Sequence, residues 1–85
     1  MPIMHHDLKL LSRFEKPKRD GLKYWEYRST ADRTFKVGDT VTFHIVTEVK
    51  RNSVGRTIGP VTITYLLDGG MLPEGFCIFS HGHWA

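Results

Sequence analysis

The chain has 85 residues, 40% of them apolar and 12% aromatic, which suits one folded domain with no room for separate catalytic and binding modules. Its net charge is only +3, but nine Lys/Arg stand against five acids in residues 1–36 and three against four in residues 37–85, so one side is expected to be basic and to suit a polyanion such as nucleic acid. A single cysteine, Cys77, allows no internal disulfide. Met1 to His6 is too short and polar to read as a cleavable leader and the apolar clusters fall far short of the roughly 20 residues that span a bilayer, so a reducing cytoplasmic setting without a membrane partner is expected.

In chain order, His6 to Leu10 reads as a first strand. Ser12 then caps a brief helix over Arg13 to Arg19 that carries Phe14 toward the core, with Pro17 limiting it to one or two turns. Arg13, Lys16, Lys18 and Arg19 form a cationic rim, open to two readings: phosphate contacts or a solvated helix face. From Tyr24 a strand begins in which Tyr24, Glu26 and Arg28 share one face and Trp25 and Tyr27 the other. Trp25 and Tyr27 are expected in the core, leaving Tyr24 as a cleft wall. Lys23 has the wrong parity to join Glu26 and Arg28 unless the Gly21 turn brings its ammonium round.

Further along, Ser29 to Thr34 is a polar connection and Val37-Gly38-Asp39 a tight turn into a strand with Val41, Phe43 and Ile45 inward. A turn at Asn52 to Gly55 leads into Thr57 to Leu67, expected to place Val61, Ile63, Tyr65 and Leu67 inward, with a bend or bulge at Gly59-Pro60. Asp68 to Gly75 is a glycine-rich loop. Phe76 to Ser80 closes the sheet, with Cys77 in an apolar strand and Ile78 buried. This pattern predicts an α+β, mainly β domain over residues 1–85: a small, partly open β-barrel of about five or six strands with one short helix.

Lys23, Glu26 and Arg28 combine a cation, a carboxylate and a planar donor fork, enough to hold a phosphate, a base edge or a carbonyl. The plain alternative is an ion pair that pins the barrel. A lysine desolvated beside aromatic walls is also a candidate nucleophile or base, with Glu26 as its partner. His5-His6 and His81-Gly82-His83 lie near the termini, where histidines are ordinarily solvated, so no metal and no cofactor are expected. Glu74, between glycines, reads as a turn residue.

The octet Gly21 to Arg28 has the form G-x-K-x-x-E-x-R and resembles the signature of ASCH domains in the PUA-like superfamily of small β-barrels. Upstream, His6-Asp7-Leu8-Lys9 is similar to the H-[DE]-L-K opening of small ASCH-like proteins of bacteria and phages. Phe35 to Asp39, Gly55-Arg56, Val61-Thr62, Tyr65 and Leu72 to Phe76 continue the pattern, so the resemblance spans about residues 6–80. It implies an RNA- or nucleotide-binding module whose cleft is lined by Lys23, Tyr24, Glu26 and Arg28, with Arg13, Lys16, Lys18 and Arg19 on phosphates. A related amidohydrolase that acts on acetylcytidine carries a lysine in the G-x-K position, here Lys23, but threonine where this chain has Glu26. The rival expectations are therefore a small amidohydrolase or ribonuclease using Lys23 and Glu26, and an accessory protein that binds a host protein, in the host cytoplasm if phage-encoded.

Overall fold

Period-two runs of Val, Ile, Phe and Thr build the sheet. The structure, a computed structural model, describes residues 2–49 and 52–82. Five strands, β1 (His5–Leu11), β2 (Trp25–Ser29), β3 (Thr40–Val46), β4 (Ser53–Asp68) and β5 (Phe76–His81), form one sheet in the order β1-β3-β4-β5-β2. β1 runs parallel to β3, and every other pairing is antiparallel. A 3-10 turn, Ser12–Phe14, and the short helix α1, Glu15–Arg19, connect β1 to β2. The fold is thus mainly β with one short helix, and β1 and β2 are the two edges of a sheet that no backbone ladder closes. Among the described residues no helix is long and apolar enough to cross a membrane.

The core gathers Leu8 and Leu10 of β1, Val41, Phe43 and Ile45 of β3, Ile58, Val61 and Ile63 of β4 and Phe79 of β5, which are buried together. Burying one such side chain stabilises by about 1.5–3 kcal/mol, so this set is the main favourable term. Phe35 joins it from the loop before β3. Beside Phe35, His6 Nε2 donates at 2.8 Å to the Asp39 carboxylate, and the backbone amides of Met4 and Lys36 also donate to it at 3.1 and 3.0 Å. Burial raises the Asp39 pKa, but His6 and the two amides outweigh it and hold the carboxyl below the usual range. This pin locks the start of β1 to the turn into β3.

Several expectations need correcting. Tyr65 and Leu67 face outward, Tyr65 at 66% exposure, because the β4–β5 register slips between Ile63 and Tyr65 and turns Leu66 toward the core instead. On β5 the inward positions are Cys77, Phe79 and His81, leaving Ile78 half-buried. Trp25 and Tyr27 are exposed, and Glu26 is buried in their place. The expected turn at Asn52 to Gly55 is not there, since β4 begins at Ser53, which already pairs with Val46, and Gly55 lies within β4 beside a register shift. Ser12 makes no capping bond, because it begins a 3-10 turn rather than the helix. The bend at Gly59-Pro60 is present: Gly59 has φ 121°, and the β3–β4 register shifts beside it.

Candidate functional site

The site is assembled around Glu26, which β2 turns inward at 4% exposure. Three cations converge on its carboxylate. Lys18 Nζ lies 2.9 Å and Lys23 Nζ 2.5 Å from Oε2, while Arg28 donates to Oε1 from Nε at 3.1 Å and Nη2 at 2.9 Å. Lys23 reaches the carboxylate as the Gly21 turn permits: Gly21 has φ 78°, and the amides of Leu22 and Lys23 both bond to the Pro17 carbonyl, folding the chain back on the helix end. The Lys23 ammonium also donates to the Trp25 carbonyl at 3.0 Å and sits over the Trp25 and Phe14 rings.

Lys18 is the residue whose position differs most from expectation. It is 0% exposed, not part of a surface rim. The short helix aims it across the core end, where it donates to the Lys23 carbonyl at 3.2 Å and His81 Nε2 at 2.8 Å and stands over the Phe43 ring. All three ammonium hydrogens are thereby used. Because Nε2 accepts, Nδ1 of His81 carries the proton and donates to the Gly82 carbonyl at 2.8 Å, which fixes a neutral tautomer. Burial pulls the Lys18 pKa down against the opposing pull of Glu26. Burial likewise lowers that of His81, with the neighbouring Lys18 charge adding to it. For Glu26, burial pushes upward, yet Lys18, Arg28 and Lys23 together hold the carboxyl below its usual range.

Above this group lies an open cleft of about 620 Å³ between the two edge strands. Lys9, Leu10 and Leu11 of β1 form one side, Trp25 to Arg28 of β2 the other, and Phe14, Lys23 and Val46 the ends. Arg28 Nη2 donates to the Lys9 carbonyl at 2.7 Å, a side-chain bridge between edges that no ladder joins. The aromatic walls are Trp25 and Tyr27, the latter stacked on Phe76 at 5.2 Å. Tyr24, expected as the wall, lies outside the cleft lining and is exposed. Arg13, Lys16 and Arg19 also lie outside it and are ion-paired, with Glu48, Asp20 and Glu15 respectively. Glu15 additionally holds Arg56 of β4, tying the helix to the sheet and keeping its own pKa low.

Sequence reasoning placed Lys18 on a phosphate-contacting rim rather than beneath Glu26, and it missed His81 as a member of the site. The available signal for Lys18 was Pro17, which shortens the helix and leaves the next residue facing the sheet rather than water. Among the described residues no group of three or more His, Cys, Asp or Glu is arranged to hold a metal ion; His83 lies outside the described residues. Cys77 is buried, and burial raises its thiol pKa, the reverse of what a reactive thiolate requires.

No curated protein matches the chain. A family model described as a domain of unknown function, DUF3850, matches residues 5–81, a span that includes all five strands, the helix, Glu26 and its three cations, and both edges of the cleft. The chain belongs to the DUF3850 family.

Proposed function

We propose that this chain is an RNA- or nucleotide-binding module of the ASCH, PUA-like kind, a partly open barrel whose β1–β2 cleft receives a nucleotide of single-stranded RNA. The observation that carries the reading is the pairing, in one open cleft, of aromatic walls with cations held in place by a buried carboxylate. Rings supply sequence-tolerant stacking, and fixed cations supply attraction to phosphate without reorganisation on binding. The ordered G-x-K-x-x-E-x-R octet and the short helix between the first two strands support the same assignment. Binding is favoured over hydrolysis because the Lys23 ammonium is spent on Glu26 and the Trp25 carbonyl. An amine in that state has no free lone pair for attack.

The test is fluorescence anisotropy with short labelled single-stranded RNAs over a salt series. Affinity should fall steeply with salt, and Trp25→Ala, at a half-exposed position, should weaken binding by about 1–3 kcal/mol per lost stack. A flat salt profile with no effect of Trp25→Ala would turn the reading toward a protein partner. Lys23→Arg, measured alongside for binding and for nucleoside hydrolysis, should retain binding and show no turnover in either protein. Hydrolysis by the wild type that this substitution abolishes would make the protein an enzyme.

A further inference from the structure

Resting on the nucleotide-binding reading, the hydrogen-bond inventory of the cleft narrows the ligand. A carboxylate offers about four lone-pair positions, and Glu26 receives four N–H bonds, two from Arg28 and one each from Lys18 and Lys23. It has no acceptor left for a ligand. What the floor still presents are donors. Among the described residues no partner is found for Nη1 of Arg28, whose Nε and Nη2 are engaged, and Lys23 has one N–H beyond its two oxygen contacts. The Lys9 side chain, exposed at the mouth, makes no ion pair among the described residues.

Charge points the same way. Of the ionisable side chains lining the cleft, Lys9, Lys23 and Arg28 are cationic and only Glu26 is anionic, a surplus of two positive charges. Lys18, behind the carboxylate, adds a third when protonated, so the surplus survives in either of its protonation states. A donor-rich, acceptor-depleted, positive floor is poorly matched to a neutral nucleoside, whose base edges and hydroxyls offer donors that would find no acceptor. It is well matched to a group that only accepts and carries more than one negative charge.

We infer that the cleft reads a terminal phosphate, and that its ligand class is a nucleotide with a phosphate monoester, either a free nucleoside monophosphate or the phosphorylated end of single-stranded RNA. A monoester brings about −1.5 to −2 charge and three acceptor oxygens, whereas an internal phosphodiester carries a single charge. The two remaining N–H groups of Arg28 Nη1 suit phosphate oxygens, Lys23 and Lys9 suit the remainder, and Trp25, Tyr27 and Phe14 bound the sugar and base.

The experiment is isothermal titration of the full chain with each of the four ribonucleosides, their 5′- and 3′-monophosphates, inorganic phosphate, and one short single-stranded RNA with and without a 5′-phosphate. At least one monophosphate series should bind at least about tenfold more tightly than its nucleosides, and the phosphorylated RNA more tightly than its hydroxyl form if the 5′ series is the one preferred. Lys9→Ala leaves the main-chain carbonyl that anchors Arg28, so it should lower monophosphate affinity several-fold without changing nucleoside affinity. Equal affinity for nucleoside and monophosphate overturns the inference while leaving the nucleotide-binding reading intact. Inorganic phosphate binding as tightly as the monophosphates overturns the nucleotide part of it. If the two RNA forms bind alike while monophosphates gain nothing over nucleosides, internal phosphodiesters are the target and the terminal assignment falls. Absence of binding by nucleosides, nucleotides and RNA alike overturns both this inference and the proposed function.

Discussion

Lys18 shows how one side chain sets the chemistry of its neighbours. A buried ammonium is costly to desolvate, and it persists here because Glu26 supplies the counter-charge and His81 and the Lys23 carbonyl take its other hydrogens. Glu26→Gln leaves that ammonium buried without a carboxylate and should destabilise the domain by about 3–5 kcal/mol in urea denaturation. Adding Lys18→Met to that variant should recover part of the loss, since the orphaned charge is gone. Strictly additive losses in the cycle would show that the two side chains act independently. His81 gives a pH signature. Its folded pKa lies below the ordinary histidine value of about 6.5, through burial and then Lys18. Below that value the unfolded chain therefore binds more protons than the folded one, so the stabilisation is complete above about pH 6.5 and is lost as pH falls toward the folded pKa. Comparing urea midpoints at about pH 7.5 and 5.5 should show a smaller acid loss in His81→Gln than in the wild type. An identical acid loss in both would remove His81 as the cause.

At the scale of elements, β2 is an edge strand turned inside out relative to its hydrophobicity. Its alternation was legible: Glu26 and Arg28 do share a face, opposite Trp25 and Tyr27. Which face turns inward was not, because Trp and Tyr are the better core residues and only the cations presented by α1 and the Gly21 turn make burial of Glu26 affordable. The inward positions of β3 followed directly from period two, whereas the second half of β4 did not, since one register slip reverses the parity of Tyr65 and Leu67. Gly59 marks the other irregularity. A Cβ there would stand 2.7 Å from the Val41 carbonyl oxygen, while one at Gly69, also at positive φ, meets nothing within 4 Å. Both alanine variants carry positive-φ strain, the greater at Gly59, whose φ of 121° lies beyond the left-handed region that Gly69 at 74° adjoins, so strain and clash act in the same direction. Gly59→Ala should be the more destabilising by about 1–3 kcal/mol in thermal or urea unfolding. Equal losses would mean that β3 and β4 separate freely at the bend.

At the scale of the whole molecule, the feature on which the proposed binding rests is the gap between the first strand and the second, the two ends of the sheet order. Arg28 spans that gap through the Lys9 carbonyl while also gripping Glu26. Arg28→Met should accordingly speed amide hydrogen exchange in β1 and β2 by about an order of magnitude while β3 and the first half of β4 keep their protection. Uniform acceleration across all strands would indicate global destabilisation instead of local opening of the cleft. Local periodicity and backbone preference were enough to read the strand-rich architecture, the short proline-limited helix, the Gly21 turn and the common face of Glu26 and Arg28, while the arrival of Lys23 beside them hung on how that turn folds back. Contacts between distant segments settled that Lys18 is buried beneath Glu26, that His81 completes the network from the far end of the chain, and that Trp25 and Tyr27 rather than Tyr24 wall the cleft. Those outcomes depend on which face of β2 meets the helix, and that face is chosen by charge pairing across residues distant in sequence, a term that no local pattern contains.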